Sequence, residues 1–314
     1  MPIHLLDLPT EIVSQILAPL PTSSLLHFSE TSHHARTLAN ANLHTLSLGI
    51  APPNLPRPKL LNIDQTSELT STTGNNTKSP YSIWLQIPKA QTYEYWTLFN
   101  FQSALVTSIL KRHGTMLQHL EISVWALTLP MVSAIENLRA LRRFSLRIER
   151  IIGGRRSCVA VKREEQEKAW ELLTKSTLVW SRRLMALKLE NCDLKVDQLA
   201  VLLKESRNCN ELGLDRCHYL GKGLWTWLVE WEGTGKLKVL NVADCRGQLG
   251  YVSRMAMGKL NGLQSLNLYD CQEQEPGEFE RCNRNLWHIP NFVAPRPGGY
   301  AANMILEVDP DYIQ

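Results

Sequence analysis

A chain of 314 residues that is 44% hydrophobic and 20% charged has ample material for a buried core, in one large domain or two small ones, and its composition predicts a soluble globular protein. The 34 basic and 30 acidic residues leave a formal net charge of +4, too weak an average field to argue for nucleic acid or membrane unless charge is concentrated locally. No basic stretch followed by an apolar core opens the chain and no apolar run approaches the ~20 residues that span a bilayer, so the expectation is a cytoplasmic and/or nuclear protein, without membrane contact, whose seven cysteines stay reduced.

A first helix is expected around Pro9-Thr10-Glu11-Ile12, with Pro9 in the first turn, where its missing donor costs nothing, and Glu11 near the positive end of the dipole. Ile12, Val13, Ile16, Leu17 and Leu20 recur at helical spacing and make one apolar face. Pro19 and Pro21 end this helix, and Thr22 or Ser23 is placed to cap a second that carries Leu25, Leu26 and Phe28. A third is expected from Ser32 through Leu43. Three helices in about 45 residues cannot enclose a self-sufficient core, so another surface must cover the apolar face.

Leu8-Pro9-x-Glu11-Ile12, Ile16-Leu17, Leu20-Pro21, Leu25-Leu26 and Ser32-His33 resemble, in order and spacing, the F-box family across residues 5 to 42. The resemblance implies an F-box-like module, residues 1 to 48, that binds the Skp-type adaptor, and through it the cullin, of an SCF-type ubiquitin ligase. Its adaptor-binding residues would be Leu8, Pro9, Ile12, Ile16, Leu17, Leu20 and Leu25. The chain departs from the family pattern in the third helix, where Ala35 precedes Arg36 in place of the usual aromatic residue. The alternative is an N-terminal helical cap on the domain that follows.

Residues 49 to 90 have linker composition, with Pro52, Pro53, Pro56, Pro58 and Pro80 and a Ser/Thr/Asn-rich stretch from Thr66 to Ser79. Folding is expected to resume near Tyr81, with a helix that turns Leu98, Leu105, Val106, Ile109 and Leu110 inward. Four segments then align without gaps: Leu184-x-x-Leu187-x-Leu189-x-x-Cys192, Cys209-x-x-Leu212-x-Leu214-x-x-Cys217, Leu237-x-x-Leu240-x-Val242-x-x-Cys245 and Leu263-x-x-Leu266-x-Leu268-x-x-Cys271. Weaker copies begin at Leu117 and Leu141, and Leu43-x-x-Leu46-x-Leu48 reads as an isolated first strand.

This pattern is similar to leucine-rich repeats, in the cysteine-containing subclass common among F-box proteins. The resemblance implies an α/β (α+β) solenoid over residues 91 to 275, in which each unit buries its apolar positions by stacking on its neighbour, with a parallel concave sheet and convex helices. It places Cys192, Cys217, Cys245 and Cys271 inside the turns as inert structural thiols, and Cys209 in the repeat core. Zinc would need close pairs such as Cys-x-x-Cys, and there are none, so no metal and no cofactor are expected. Leu224, Trp227, Leu228 and Trp231 share a helical face and belong in the convex core, an aromatic ligand cage being the alternative.

Strand side chains alternate between faces, so residues flanking the inward leucines are predicted to form the target-binding surface: His119, Glu121, Arg143, Arg147, Lys188, Glu190, Glu211, Asp215, Asn241, Asn267 and Tyr269. Arg143, Arg147 and Lys188 suggest a positive part beside a negative one at Glu211 and Asp215, suited to a dipolar protein partner. The stretch Arg139 to Arg163, with Arg142, Arg150, Arg155, Arg156 and Lys162, reads as a protruding basic loop able to hold an acidic tail, a phosphorylated segment or nucleic acid; a plain solvated loop is the alternative.

Catalytic motifs are missing. Gly233-Thr234-Gly235-Lys236 lacks the Ser or Thr of a phosphate loop, and there is no Gly-x-Ser-x-Gly or His-Glu-x-x-His. The expectation is a non-catalytic substrate-recognition subunit of the ligase, its repeats holding an unidentified protein target. The rivals are a scaffold outside any ligase and an enzyme with a site around Cys158 or Cys282. Residues 276 to 314 read as a closing segment, with Met304-Ile305-Leu306-Glu307-Val308 as a last strand.

Overall fold

The computed structural model describes residues 5–51, 81–87, 92–149, 156–175, 177–245, 248–275 and 277–297. Three helices open it, α1 (Thr10–Leu17), α2 (Thr22–Thr31) and α3 (His33–Asn42), followed by strands β1 (Thr45–Ala51) and β2 (Ser82–Gln86) and the long helix α4 (Tyr95–His113). Strands and helices then alternate: β3 (His119–Val124), α5 (Leu129–Glu136), β4 (Arg143–Ile148), α6 (Arg156–Leu173), β5 (Ala186–Glu190), α7 (Val196–Leu203), β6 (Glu211–Asp215), α8 (Gly223–Glu230) and β7 (Val239–Ala243). The last described part holds β8 (Gln248–Leu249), α9 (Tyr251–Met257), β9 (Ser265–Asn267), β10 (Gln272–Glu273), α10 (Glu278–Cys282), β11 (Asn291–Val293) and β12 (Arg296–Pro297).

Nine of these strands form a sheet in the order β11-β9-β7-β6-β5-β4-β3-β1-β2, and the other three a small sheet in the order β12-β10-β8, with every pairing parallel. Parallel neighbours need a crossover between them, and α5 to α9 supply it, each helix packing on the next. Register follows burial. Leu120, Phe144, Leu187, Leu212, Leu240 and Leu266 lie side by side across the sheet, as do Ile122, Leu146, Leu189, Leu214 and Val242, and all are buried against the helices. A slip of one residue on any strand would turn this row to the opposite face.

At the end of each repeat strand the backbone turns through a left-handed residue immediately before the cysteine: Asn191, Arg216, Asp244 and Asp270, with φ of 56°, 53°, 46° and 59°. Asn and Asp tolerate this conformation, whereas Arg216 pays the Cβ–carbonyl crowding in full. The thiols behind these turns, buried except for the half-buried Cys245, bond to carbonyls of the same or the preceding strand, Cys192 to Glu190 at 3.4 Å, Cys217 to Leu189 at 3.4 Å, Cys245 to Leu214 at 3.4 Å and Cys271 to Val242 at 2.9 Å. Burial pushes the Cys209 and Cys271 thiols up to about 12 and about 11 and raises those of Cys217 and Cys245 as well, so these sulfurs stay protonated.

The opening helices are continuous with this core. Val13, Leu17, Leu25 and Leu38 are buried in one cluster with Leu46, Leu48 and Leu120. Ser32 caps α3 by accepting from the Ala35 N–H at 3.0 Å. The expected Thr22 or Ser23 cap of α2 is not made; Pro21 occupies the N-cap and the Thr22 hydroxyl donates instead to the Thr45 carbonyl at 3.2 Å, tying α2 to β1.

Three further expectations need correction. The strand at Leu46 is not isolated but pairs with both β2 and β3. β2 lies within the stretch read as linker, so the ordered domain takes in residues on both sides of the proline-rich segment, most of which falls outside the described residues. The region after Arg155 is a helix, α6, carrying Ala169, Trp170 and Leu173 into the core, rather than a loop; Gly153-Gly154-Arg155 lie outside the described residues. The end of the sheet is closed by β11 pairing with β9 and by Trp287, set edge-on against Phe279 at 5.9 Å and Phe292 at 6.3 Å. Met304–Val308, expected in that place, lies outside the described residues.

Candidate functional site

Two surfaces arise from this arrangement. The first is on α1. With Val13 and Leu17 turned into the core, the adjoining side of the helix, about 100° round, leaves Ile12 and Ile16 43% exposed, and Leu5 and Pro9 flank them in solvent. Leu8 and Leu20 are half-buried at its margin. Leu17 and Leu25, expected among the adaptor-binding residues, are instead enclosed: α1 packs one side of its apolar face on α3 and into the common core, and the Ile12–Ile16 side is left for another protein. Ala35 is fully buried too, so the departure from the family's aromatic position lies inside the module and leaves the Ile12–Ile16 face unaltered.

The second surface is the face of the sheet turned away from the helices. Its acids are buried: Glu121, Glu190 and Glu211 are nearly inaccessible. Buried carboxylates demand partners, and register supplies them. Arg147 stands opposite Glu190 and donates to it at 2.5 Å, while Arg216, on the next turn, reaches the other carboxylate oxygen and lies 3.6 Å from Asp215. Lys188 reaches Glu211 at 2.6 Å by lying over Gly213, where a Cβ would approach its Cγ to 3.2 Å. The expected separation into a positive and a negative part is therefore corrected: the charges neutralise each other pairwise across strands.

Burial, with the Glu190 carboxylate beside it, pushes the Asp215 carboxyl above its ordinary range against the pull of Arg216. His119 and Arg143 are half-buried at one side of this face, and Asn241 is half-buried near the middle. Asn267 folds its carbonyl oxygen back onto the Tyr269 N–H at 2.9 Å. Tyr269 is half exposed, with the Arg296 guanidinium 5.1 Å above its ring and bonded to its hydroxyl at 2.9 Å. The Arg296 contact was not anticipated, since it comes from beyond the recognised repeats.

The described arginines of the basic stretch are shared between elements, with Arg143 and Arg147 on β4 and Arg163 on α6. Arg147 belongs to the Glu190 cluster, and Arg163 lies over the Tyr219 ring at 5.1 Å on α6, where Glu164, Glu165 and Glu167 follow it. Arg150 and Arg155 are outside the described residues. The tryptophans read as convex core or cage are packing residues: Trp231 is buried, stacked on Trp227 at 5.6 Å, and donates from Nε1 to the Leu203 carbonyl at 2.9 Å. No described helix is long and apolar enough to cross a membrane.

A helical module that keeps an apolar face in solvent is thus joined to a parallel sheet with helices. Comparison with known families gives the module its identity: residues 5–43 match the F-box domain, and the chain therefore carries an F-box domain at its start. Comparison with curated proteins finds no match to the chain.

Proposed function

We propose that the protein is the substrate-recognition subunit of an SCF-type cullin-RING ubiquitin ligase. The observation that carries this reading is the Ile12–Ile16 face, left open by a module that buries Val13, Leu17, Leu25 and Leu38 internally, within a stretch that matches the F-box domain. A Skp-type adaptor covering it supplies the hydrophobic part of the affinity, with Leu8, Pro9 and Leu20 at the rim. The stacked strands and helices act as a leucine-rich solenoid of the cysteine-containing kind, and their outer strand face, around His119, Arg143, Asn241 and Tyr269, holds a protein target. Catalysis in such an assembly is positional: the target's lysines are kept at high local concentration near the ubiquitin carrier, without a reacting group from this chain.

The test is capture of a purified Skp-type adaptor by the full chain and by Ile12→Asp/Ile16→Asp. Both positions are exposed, so the variant should melt as wild type does while losing the adaptor. Deleting residues 5–43 is a poorer test, because it would also remove Leu17, Leu25 and Leu38 from the shared core. A wild-type chain that fails to hold the adaptor, or a variant that holds it equally well, would end the ligase reading.

A further inference from the structure

Helix α9 returns to strand β9 through a turn, residues 258 to 264, whose tip is Asn261-Gly262, both exposed. The turn is anchored on either side. Leu260 and Leu263 are buried, the Leu260 N–H donates to the Met257 carbonyl at 3.0 Å, and the Ser265 N–H donates to the Lys238 carbonyl at 3.0 Å. Gly262 has a φ of 122°, which glycine adopts without cost, and a Cβ placed there would meet nothing within 4 Å. The Asn261 N–H donates to the Lys259 carbonyl at 2.9 Å, but neither the Asn261 side-chain amide nor the Gly262 N–H has a hydrogen-bond partner among the described residues.

Asn and Gly are the residues a tight turn selects, and that accounts for their presence. Their chemistry adds a consequence. A side-chain amide is harmless to its own backbone when it is held by a partner, or when the next residue's N–H is bonded or shielded by a side chain. Three other asparagines meet those conditions: the Asn191 amide donates to the Ile148 carbonyl at 2.6 Å, Asn267 Oδ1 accepts from the Tyr269 N–H at 2.9 Å, and Asn283 Oδ1 accepts from the Ile289 N–H at 2.8 Å. The residues that follow them, Cys192, Leu268 and Arg284, all carry side chains. Asn261-Gly262 is the one Asn-Gly pair in the sequence, and it stands where nothing restrains or covers it.

We infer that Asn261 is a site of spontaneous deamidation through a cyclic imide. The Gly262 backbone nitrogen attacks Asn261 Cγ and gives up its proton; the bond from Cγ to the side-chain nitrogen breaks, and that nitrogen leaves with the proton as ammonia. Water then opens the ring. Attack at Cγ restores the main chain with an aspartate at position 261, whereas attack at the Asn261 carbonyl carbon leaves an isoaspartate, whose main chain runs through Cβ and Cγ. One water is consumed, one ammonia is released and nothing is oxidised or reduced. The aspartate only adds a charge in solvent. The isoaspartate lengthens the main chain by a methylene between two buried leucines and so pushes on the start of β9. This holds whether or not the chain docks an adaptor.

The full chain is aged at pH 8 and at pH 5, folded and in urea, then digested with trypsin and read by mass spectrometry. The peptide from Leu260 to Arg281 carries Asn261 and Asn267 together, so each molecule holds its own control. Folded wild type converts Asn261 from amide to acid ahead of Asn267, and faster at pH 8, since the attacking nitrogen must lose its proton. Part of the product accepts a labelled methyl group from S-adenosylmethionine through an isoaspartyl methyltransferase. Asn261→Gln, an exposed change that would require a less favourable six-membered ring, loses the methyl-acceptor signal. Aged wild type melts below fresh protein, and aged Asn261→Gln does not. The inference is overturned if Asn261 stays an amide in the folded chain while converting in urea, if Asn267 converts as fast, or if Asn261→Gln keeps the methyl-acceptor signal or loses as much melting temperature on ageing.

Discussion

Glu190 has only 3% of its side chain in solvent and is held between Arg147 on its own sheet row and Arg216 on the following turn. An ionised carboxylate this deep is tolerable only while both cations are in place, and that explains why Arg216 accepts a left-handed backbone that costs roughly 1–2 kcal/mol for a residue with a Cβ. Arg147→Ala should therefore destabilise the fold by about 3 kcal/mol in urea denaturation, far more than a solvated arginine warrants, and most of that cost should vanish when Glu190→Ala is added. Asp215, at the edge of the same cluster, behaves oppositely. Its folded-state pKa is raised, chiefly by burial, so the folded chain binds its proton more readily than the unfolded one. Its contribution is favourable below the ordinary carboxylate value of 3.8 and is lost as pH rises through the raised folded value. Asp215→Asn should then raise the melting temperature at pH 7, and the gain should shrink as the pH of the scan is lowered toward 3.8. An equal gain at every pH would assign the effect to something other than titration.

Between neighbouring helices the joining device is an indole. Trp180 is wholly buried and donates from Nε1 to the Ile135 carbonyl at 3.0 Å, and Trp231 does the same for Leu203 at 2.9 Å. Ile135 is in the last turn of α5 and Leu203 ends α7, where carbonyls have no partner within their own helix. Each tryptophan thus fills the core and satisfies the end of an earlier helix. The Ile135 carbonyl also accepts from the Leu138 N–H at 3.1 Å, so Trp180→Phe removes one of the bonds to it and strands nothing; the cost should be about 1 kcal/mol, and hydrogen exchange should show the last turn of α5 opening first. The strand pattern was legible because buried leucines at fixed spacing survive in any sequence reading. The partner of each indole was not, because it is 45 residues away for Trp180 and 28 for Trp231. Cross-strand neutralisation of Arg147 by Glu190 stayed hidden for the same reason: the two residues are 43 apart and meet only through register. β11 was missed on different grounds. Ile289-x-x-Phe292 repeats the spacing of Leu263-x-x-Leu266, yet Pro290 and the lack of a closing cysteine masked it.

At the scale of the whole chain, the F-box helices and the sheet share one core, and this decides how the protein should melt. Thr22 bonds to Thr45, the Asn40 amide bonds to the Arg112 carbonyl at 3.4 Å, and Asn40 Oδ1 accepts from the Nδ1–H of His113 at 2.6 Å, so α2 and α3 are fastened to both β1 and α4. Burial, reinforced by Arg112 and Arg36, lowers the His113 pKa below 6.5, so the imidazole at this joint is neutral in the folded chain at pH 7. A lowered folded value means the joint's contribution is whole above 6.5 and is lost as pH falls through the folded value. Because the apolar surface of α1 to α3 is divided between the inner core and the Ile12–Ile16 face, the module has no core of its own to keep once it leaves the sheet. Calorimetry at pH 7.5 should accordingly give one transition for the full chain, and the transition should move to lower temperature at pH 5.5 by more in wild type than in His113→Gln. Two separated transitions, or a pH response untouched by His113→Gln, would mean that the docking helices fold independently, and the division of their apolar face between the sheet and an adaptor would then have to be given up.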